Sequence, residues 1–282
     1  MEARLCPVCD VLRPVNVAES FTNGRFLNCR HCGVHFAETQ EQDLKSFYRE
    51  VWSDGHMGLQ PYAEKLQAVT DSACLLQLVQ RTPRYSWVRN QLATLPSSAR
   101  ILDAGCGEGA MLWIAQQLGH IPFGCDLAEG AVQIASRLVG EDVVRTGTIH
   151  ELLYEPSSFD FVIALEILEH VPSPRQFVQE LAKLLKPTGT LLLTTPNRFR
   201  LFAVAKRTLG RPHSNTDYPP HHLTRWSRQS LLNLVDHDFC DIEIGSLPYE
   251  ATSSFLKLSS LPLHLLTFRR MGQSLCLNAK RK

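Results

Sequence analysis

The stretch Ile101–Leu112, reading Ile-Leu-Asp-Ala-Gly-Cys-Gly-Glu-Gly-Ala-Met-Leu, constrains this chain more than any other. An apolar pair runs into Asp103, glycines follow at Gly105, Gly107 and Gly109, and an apolar helical segment opens behind them. Strand, glycine turn and helix in that order form the nucleotide-binding corner of a doubly wound sheet, because residues lacking a Cβ let the backbone approach a ligand. A dinucleotide enzyme also carries a glycine turn. Here the acid precedes the first glycine, and Asp-x-Gly-x-Gly-x-Gly departs from the dinucleotide fingerprint.

The residues that follow alternate as an α/β sheet requires. Strands are predicted at Arg100–Ala104, Ile121–Leu127, Asp142–Arg145, Phe159–Leu165 and Thr190–Thr195, with helices at Ala110–Leu118, Glu129–Leu138 and Arg175–Leu185. The run Phe159–Leu165 is almost wholly apolar, as a strand buried on both faces should be. A tight turn is expected at Lys186-Pro187-Thr188-Gly189, before the fifth of these strands. Cys240–Gly245 and Ser274–Ala279 supply two more strands, and helix Arg228–Asp236 precedes them with Ser227 as its N-cap. Asp126 closes the second strand roughly twenty residues after the glycine turn, where a carboxylate can accept ribose hydroxyls.

With these motifs the chain resembles the class I S-adenosylmethionine-dependent methyltransferases from about Arg84 to its end. The resemblance implies an α/β, Rossmann-like, doubly wound sheet of seven strands, the last inserted antiparallel beside the fifth. It implies S-adenosylmethionine as cofactor, with Asp103, Gly105, Cys106, Gly107, Asp126, Leu127, Thr148, Ile149 and Glu166 as its binding residues. Asp126 matches the family's ribose-binding acid. The family's acid near the adenine amino group is replaced here by Thr148, and Ile149 is expected to pack on the ring.

The run Glu166-Ile167-Leu168-Glu169-His170 places three polar side chains on one face if it turns helical. The segment His221-His222-Leu223-Thr224-Arg225-Trp226-Ser227 resembles the family's His-x-x-x-aromatic-Ser pattern. Glu166, Glu169, His170 and His222 together look like the set of the metal-dependent O-methyltransferases of quinone biosynthesis and of small-RNA 3′ ends. Three readings stay open. A divalent cation held by those four would lower the pKa of an acceptor hydroxyl; His170 or His222 acts as a direct general base; or, as in related methyltransferases without metal, His170 caps or packs locally and Glu166 only orients the cofactor.

Nine cysteines are present, and four of them stand as Cys6-Pro-Val-Cys9 and Cys29-Arg-His-Cys32. Two residues between thiolates let both sulfurs turn onto one ion, and two such pairs complete a tetrahedron. A reduced redox pair would explain one pair and not both. The expectation is one structural zinc ion on a ribbon with a hairpin around Asn23-Gly24, His31 and His35 being alternative ligands. Cys74, Cys106, Cys125, Cys240 and Cys276 read as small core residues. The expected division is a zinc ribbon over 1–52, a linker and lid helix over 53–83, and a catalytic domain over 84–282 with caps near 198–226 and 250–270. Helices are predicted at Ala63–Val79 and Tyr85–Leu95. The basic segment Arg198–Arg211 fits either a solvated helix face or contact with an anionic or lipid-linked substrate. The apolar run Phe255–Phe268 fits a substrate cap, a dimer contact or a patch on a membrane surface; the cap is preferred.

Lys+Arg 29 against Asp+Glu 28 gives a net charge of +1, which counts against a protein devoted to gripping nucleic acid. No signal peptide or membrane span is apparent, so a cytoplasmic location is expected. The leading expectation is a methyltransferase acting on a hydroxyl of a small molecule, a glycan or a lipid-linked metabolite. The runner-up is a metal-dependent O-methyltransferase of a quinone precursor or RNA 3′ end. A third reading is a non-catalytic S-adenosylmethionine-binding scaffold whose ribbon docks a partner.

Overall fold

In chain order, the computed structural model describes residues 2–21, 24–38, 72–199, 219, 221–248 and 273–282. The N-terminal part holds β1 (Ala3–Leu5), β2 (Leu12–Phe21), β3 (Gly24–Cys29) and β4 (His35–Ala37). Then come α1 (Ser72–Arg81), α2 (Pro83–Leu92), β5 (Arg100–Ala104), α3 (Ala110–Gln117), β6 (Ile121–Asp126), α4 (Glu129–Val139) and β7 (Val144–Thr146). β8 (Phe159–Leu165), a short 3-10 turn at Leu168–His170, α5 (Pro174–Leu184) and β9 (Leu185–Pro196) follow. β10 (Thr224–Arg225), α6 (Arg228–Val235), β11 (Phe239–Leu247) and β12 (Ser274–Arg281) complete the described elements.

Seven strands form one sheet in the order β11-β12-β9-β8-β5-β6-β7. β5 pairs parallel with β6 and β8, β6 with β7, and β8 with β9. β12 runs antiparallel to both β9 and β11, as the family resemblance implied. Successive residues of a strand face opposite ways, and the packing follows that alternation. Ile101, Ile163 and Leu192 pack with α1 to α4 on one face. Leu102, Val162, Leu191 and Leu193 pack with α5 and α6 on the other. Each run is apolar at consecutive positions because both faces are covered.

Three sequence expectations are corrected. The turn at Lys186–Gly189 lies inside β9 and not before it: Phe159 pairs with Leu185 and Phe161 with Thr190, so these four residues bulge out of the ladder. Thr188 takes φ 64° to make the bulge. Cys240 is exposed on an outer strand, whereas Cys106, Cys125 and Cys276 are buried as expected. The Glu166–His170 run does not form a helical face: Glu166 adopts φ 51°, and the helical part is confined to Leu168–His170.

The N-terminal strands are not a free appendage. They form a second sheet, β1-β2-β3-β4-β10, whose last strand belongs to the catalytic part of the chain. Cys6, Val8, Leu27 and Val34 share one core with Trp226, Leu231 and Leu234. The expected lid residues 53–71, the basic segment 200–211 and the cap at 250–270 lie outside the described residues, as does the start of the helix expected at Ala63. No helix among the described residues is long and apolar enough to cross a membrane.

Candidate active site

The glycine turn follows β5 at the carboxyl edge of the parallel strands, where ligands of such sheets bind. Gly105 has φ 77°, and a Cβ there would stand 2.4 Å from Ile167 Cδ1. Gly109 has φ 83°, and its Cβ would stand 2.9 Å from Ala135 Cβ, so α3 meets α4 only across a glycine. Gly107 donates its N–H to Asp126 Oδ2 at 2.9 Å, and Ala128 donates to Oδ1 at 2.9 Å. These bonds fix the carboxylate at the end of β6. Burial nevertheless raises the Asp126 pKa.

A cavity of about 560 Å³ opens beside this turn. Gly105, Asp126, Leu127, Thr148 and Ile149 line one end, and Glu166, Ile167 and His170 continue its wall toward Phe177. A buried apolar wall with a few polar groups at fixed points is what a small-molecule site requires. Asp103 is 3 % exposed and lies beneath the turn, not on the wall. Burial, and next the charge of Asp126, raise its pKa to about 7. Cys106 is buried against Gly124. Thr148 faces the cavity, but its N–H and hydroxyl both bind the Glu151 carboxylate, at 3.1 and 3.2 Å. Glu151, three residues later, thus brings a carboxylate to Thr148, although it does not itself line the cavity.

Glu166 lines the cavity between its Asp126 end and its His170 end. Its N–H donates to the Thr194 carbonyl at 3.0 Å and meets the Thr194 hydroxyl at 3.2 Å, holding an ordinary residue in the left-handed region. Such a conformation costs about 1–3 kcal/mol and is retained where the surroundings impose it. Ser274 of β12 donates to Glu166 Oε2 at 3.3 Å.

His170, His221 and His222 gather at the far side, with ligand atoms within 4.8 Å of one another. The rings of His221 and His222 stack at 5.1 Å, and His170 meets them edge-on at 4.8 and 4.9 Å. His170 Nδ1–H donates to the His221 carbonyl at 2.6 Å, which leaves Nε2 as the bare nitrogen of the neutral ring. Nε2 is 3.8 Å from Glu169 Oε1. Burial first, and His221 second, push the His170 pKa down to about 4. Glu169 is 2 % exposed and accepts from Thr195 Oγ1 at 2.9 Å. The four residues expected from sequence are therefore split: Glu166 lines the cavity, His170 and His222 stand together with His221, and Glu169 approaches this cluster through His170. His221 went unselected because nothing local separates it from its neighbour; only its carbonyl bond to His170 does.

The two Cys-x-x-Cys turns are built alike. Asp10 donates to the Cys6 carbonyl at 2.8 Å and Gly33 to the Cys29 carbonyl at 2.8 Å, each in the left-handed region. Cys6 and Cys32 sulfurs are 3.6 Å apart, and Cys9 and Cys29 sulfurs 3.9 Å. Zinc–sulfur bonds of ~2.3 Å in a tetrahedron space sulfurs by about 3.8 Å, whereas a disulfide holds them at about 2.05 Å. The Cys32 thiol and the backbone N–H groups of Cys9 and Val8 stabilise a Cys6 thiolate and lower its pKa to about 5.

The sheet order and the carboxyl-edge cavity define a Rossmann-like S-adenosylmethionine-dependent methyltransferase of class I. A family model described as a methyltransferase domain matches residues 78–238, and the chain belongs to that family. The chain is 35% identical over 177 residues to a ubiquinone biosynthesis O-methyltransferase of Xanthomonas campestris pv. campestris, covering 57% of this chain and 71% of the relative. Its fold is similar to that of a methyltransferase from Thermotoga maritima, with TM-score 0.52 and 18% identity over 73% of this chain and 92% of the other. It is likewise similar to an S-adenosylmethionine-dependent methyltransferase from Mesorhizobium loti, with TM-score 0.52 and 20% identity over 72% of this chain and all (100%) of the other.

Proposed function

We propose that this enzyme methylates the oxygen of a small-molecule hydroxyl, with a phenolic or catecholic ring as the acceptor class. The observation that carries this reading is the single cavity running from Asp126 past Glu166 to His170. One end suits a nucleoside, and the other presents imidazole and carboxylate groups where an acceptor oxygen must lose its proton. The likeness to relatives named for ubiquinone biosynthesis favours a ring hydroxyl over a glycan. The cofactor supplies an electrophilic methyl carbon on a sulfonium.

The chain's own residues have the remaining tasks. Asp126, pinned by Gly107 and Ala128, accepts the ribose hydroxyls. Ile149 and Leu127 enclose the adenine, and Gly105 gives the methionine portion its passage along the backbone. Leu165, Ile167, Val171 and Phe177 exclude water from the cavity. His170, which lines the second end, supplies Nε2 as the proton-accepting or metal-binding atom.

His170, His221 and His222, whose ligand atoms lie within 4.8 Å of one another, would hold a divalent cation, and Glu169, with Oε1 3.8 Å from His170 Nε2, would complete the set by a small shift toward it. This mixed oxygen and nitrogen set fits magnesium, manganese or zinc, whose chemistry there would be to lower the acceptor's pKa. Cys6, Cys9, Cys29 and Cys32 would hold a zinc ion with no open position, a structural role.

The test is product analysis. Full-length protein supplied with trideuteromethyl S-adenosylmethionine and catechol should yield guaiacol carrying one labelled methyl on oxygen, and excess chelator should suppress it. Methylation on nitrogen or carbon of mixed amino- and hydroxyl-bearing acceptors, with none on oxygen, would overturn the reading. Full activity in chelator would leave His170 as the base and remove the cation.

A further inference from the structure

The Cys-x-x-Cys module is joined to the histidine cluster by a continuous hydrogen-bonded path. Ala37, at the end of β4, donates to the Leu223 carbonyl at 2.8 Å, and β4 pairs with β10 through Phe36–Thr224 and His35–Arg225. Leu223 in turn donates to the Glu169 carbonyl at 2.7 Å, and Thr224 Oγ1 to the Leu168 carbonyl at 3.3 Å. One residue before Leu223 is His222, and one before that is His221, whose carbonyl binds His170. The segment carrying both histidines is thus clamped between the Leu168–His170 turn and the N-terminal sheet.

Arg225 closes the clamp. Its guanidinium lies 4.1 Å from the centre of the Phe26 ring on β3 and pairs with Glu19 on β2 at 2.5 Å. Arg225 is 15 % and Glu19 14 % exposed at the side chain, so solvent screens this pair little. Backbone carbonyls of the cysteine turns are held from the catalytic side as well. Arg175 donates to the Val8 carbonyl at 2.8 Å, Arg198 to that of Gly33 at 2.6 Å, and Asn233 to that of Cys32 at 3.2 Å. Arg175 also binds the carbonyls of Leu234 and Asn233, tying α6 to the same point. A module meant to swing freely as a partner-binding arm would not engage three half-buried side chains in this docking.

We propose that the cysteine module is a positioning element of the acceptor half of the active site, and that Arg225 and Glu19 are positioning residues that fix the His221–His222 segment against His170. The proposal deepens the acceptor-side reading and rests on it for the catalytic consequence, but the geometric part stands alone. None of the ties reaches Gly105 or Asp126, so cofactor binding should be indifferent to them.

The experiment compares full-length native protein with R225Q, R225K and E19Q, each loaded with S-adenosylhomocysteine. Nitrogen-15 spectra report which ring nitrogen of each histidine bears the proton. The native protein should show His170 as the Nδ1–H form. R225Q and E19Q should shift or broaden the His170, His221 and His222 signals, R225K should retain most of the native pattern, and S-adenosylhomocysteine affinity should change less than twofold throughout. Turnover of catechol should fall about tenfold or more in R225Q with unchanged cofactor affinity. Native histidine signals in folded R225Q and E19Q would overturn the proposal, as would a parallel loss of cofactor affinity. Absence of catechol turnover in the native protein, with the spectral changes as expected, would count against the acceptor assignment and uphold the clamp.

Discussion

Gly107 reaches Asp126 across a separation of 19 residues, and the cofactor end of the cavity is assembled from turns that follow consecutive strands β5, β6 and β7. The histidine end is assembled otherwise. His170 meets His221 across 51 residues, Arg198 meets Gly33 across 165, and Arg225 meets Glu19 across 206. The first end is set by glycine conformation, strand spacing and the two local backbone bonds to Asp126. The second depends on a small sheet from the far end of the chain, held by ion pairs and carbonyl bonds. Damage to the N-terminal module should therefore spare one end and disable the other, while damage to the glycine turn should do the reverse.

The largest separation of the two is expected from Cys29→Ser. Loss of one of four thiolates should abolish the bound equivalent of zinc, measured by metal analysis, and unfold the module. Turnover should drop by at least a hundredfold while S-adenosylhomocysteine still binds within a few-fold of native affinity. Retained zinc together with a folded N-terminus would break the comparison at its base.

Gly105→Ala is the reciprocal change. The new Cβ must take a left-handed backbone and displace Ile167, so a tenfold or greater loss of cofactor affinity is expected by calorimetry. The histidine spectra and the zinc content should stay native. An unaltered affinity would show that the turn does not carry the cofactor.

The smallest effect is a pH dependence. Asp103 has its pKa raised to about 7 in the folded protein, chiefly by burial, against an unfolded value near 3.9. Between those values the folded state binds the extra proton. The stability that this provides is fully present below about pH 4 and is lost as pH rises through 7. Asp103→Asn should raise the melting temperature of the cofactor-free protein by several degrees at pH 8 and hardly at all at about pH 4. An equal change at about pH 4 and at pH 8 would refute the buried-carboxyl explanation.

What the sequence made legible follows the same division. The Asp103–Gly109 turn, the acid at Asp126 and the buried run Phe159–Leu165 are local patterns, and each lies where spacing placed it. The Cys-x-x-Cys pairs were legible for the same reason, since knuckle geometry needs only four or five residues. β10 was not, because two residues of strand give no alternation to read. The helical face assigned to Glu166, Glu169 and His170 failed because Thr194 captures the Glu166 N–H and forces a positive φ, a contact 28 residues away. The turn Lys186–Gly189 was recognised as a turn, but pairing of Leu185 with Phe159 extends the strand around it. His221 and the Arg225–Glu19 pair depended on tertiary contacts that no window of sequence contains.

The central claim is that S-adenosylmethionine binds in the cavity through the Asp126 carboxylate. Calorimetric titration of S-adenosylhomocysteine into native protein and Asp126→Ala tests it most directly. One equivalent should bind to the native protein, and the variant should bind at least about tenfold more weakly, since a charge-assisted hydrogen bond is worth ~1.5–3 kcal/mol. Equal affinities for a folded variant, or no binding to the native protein, would contradict the claim.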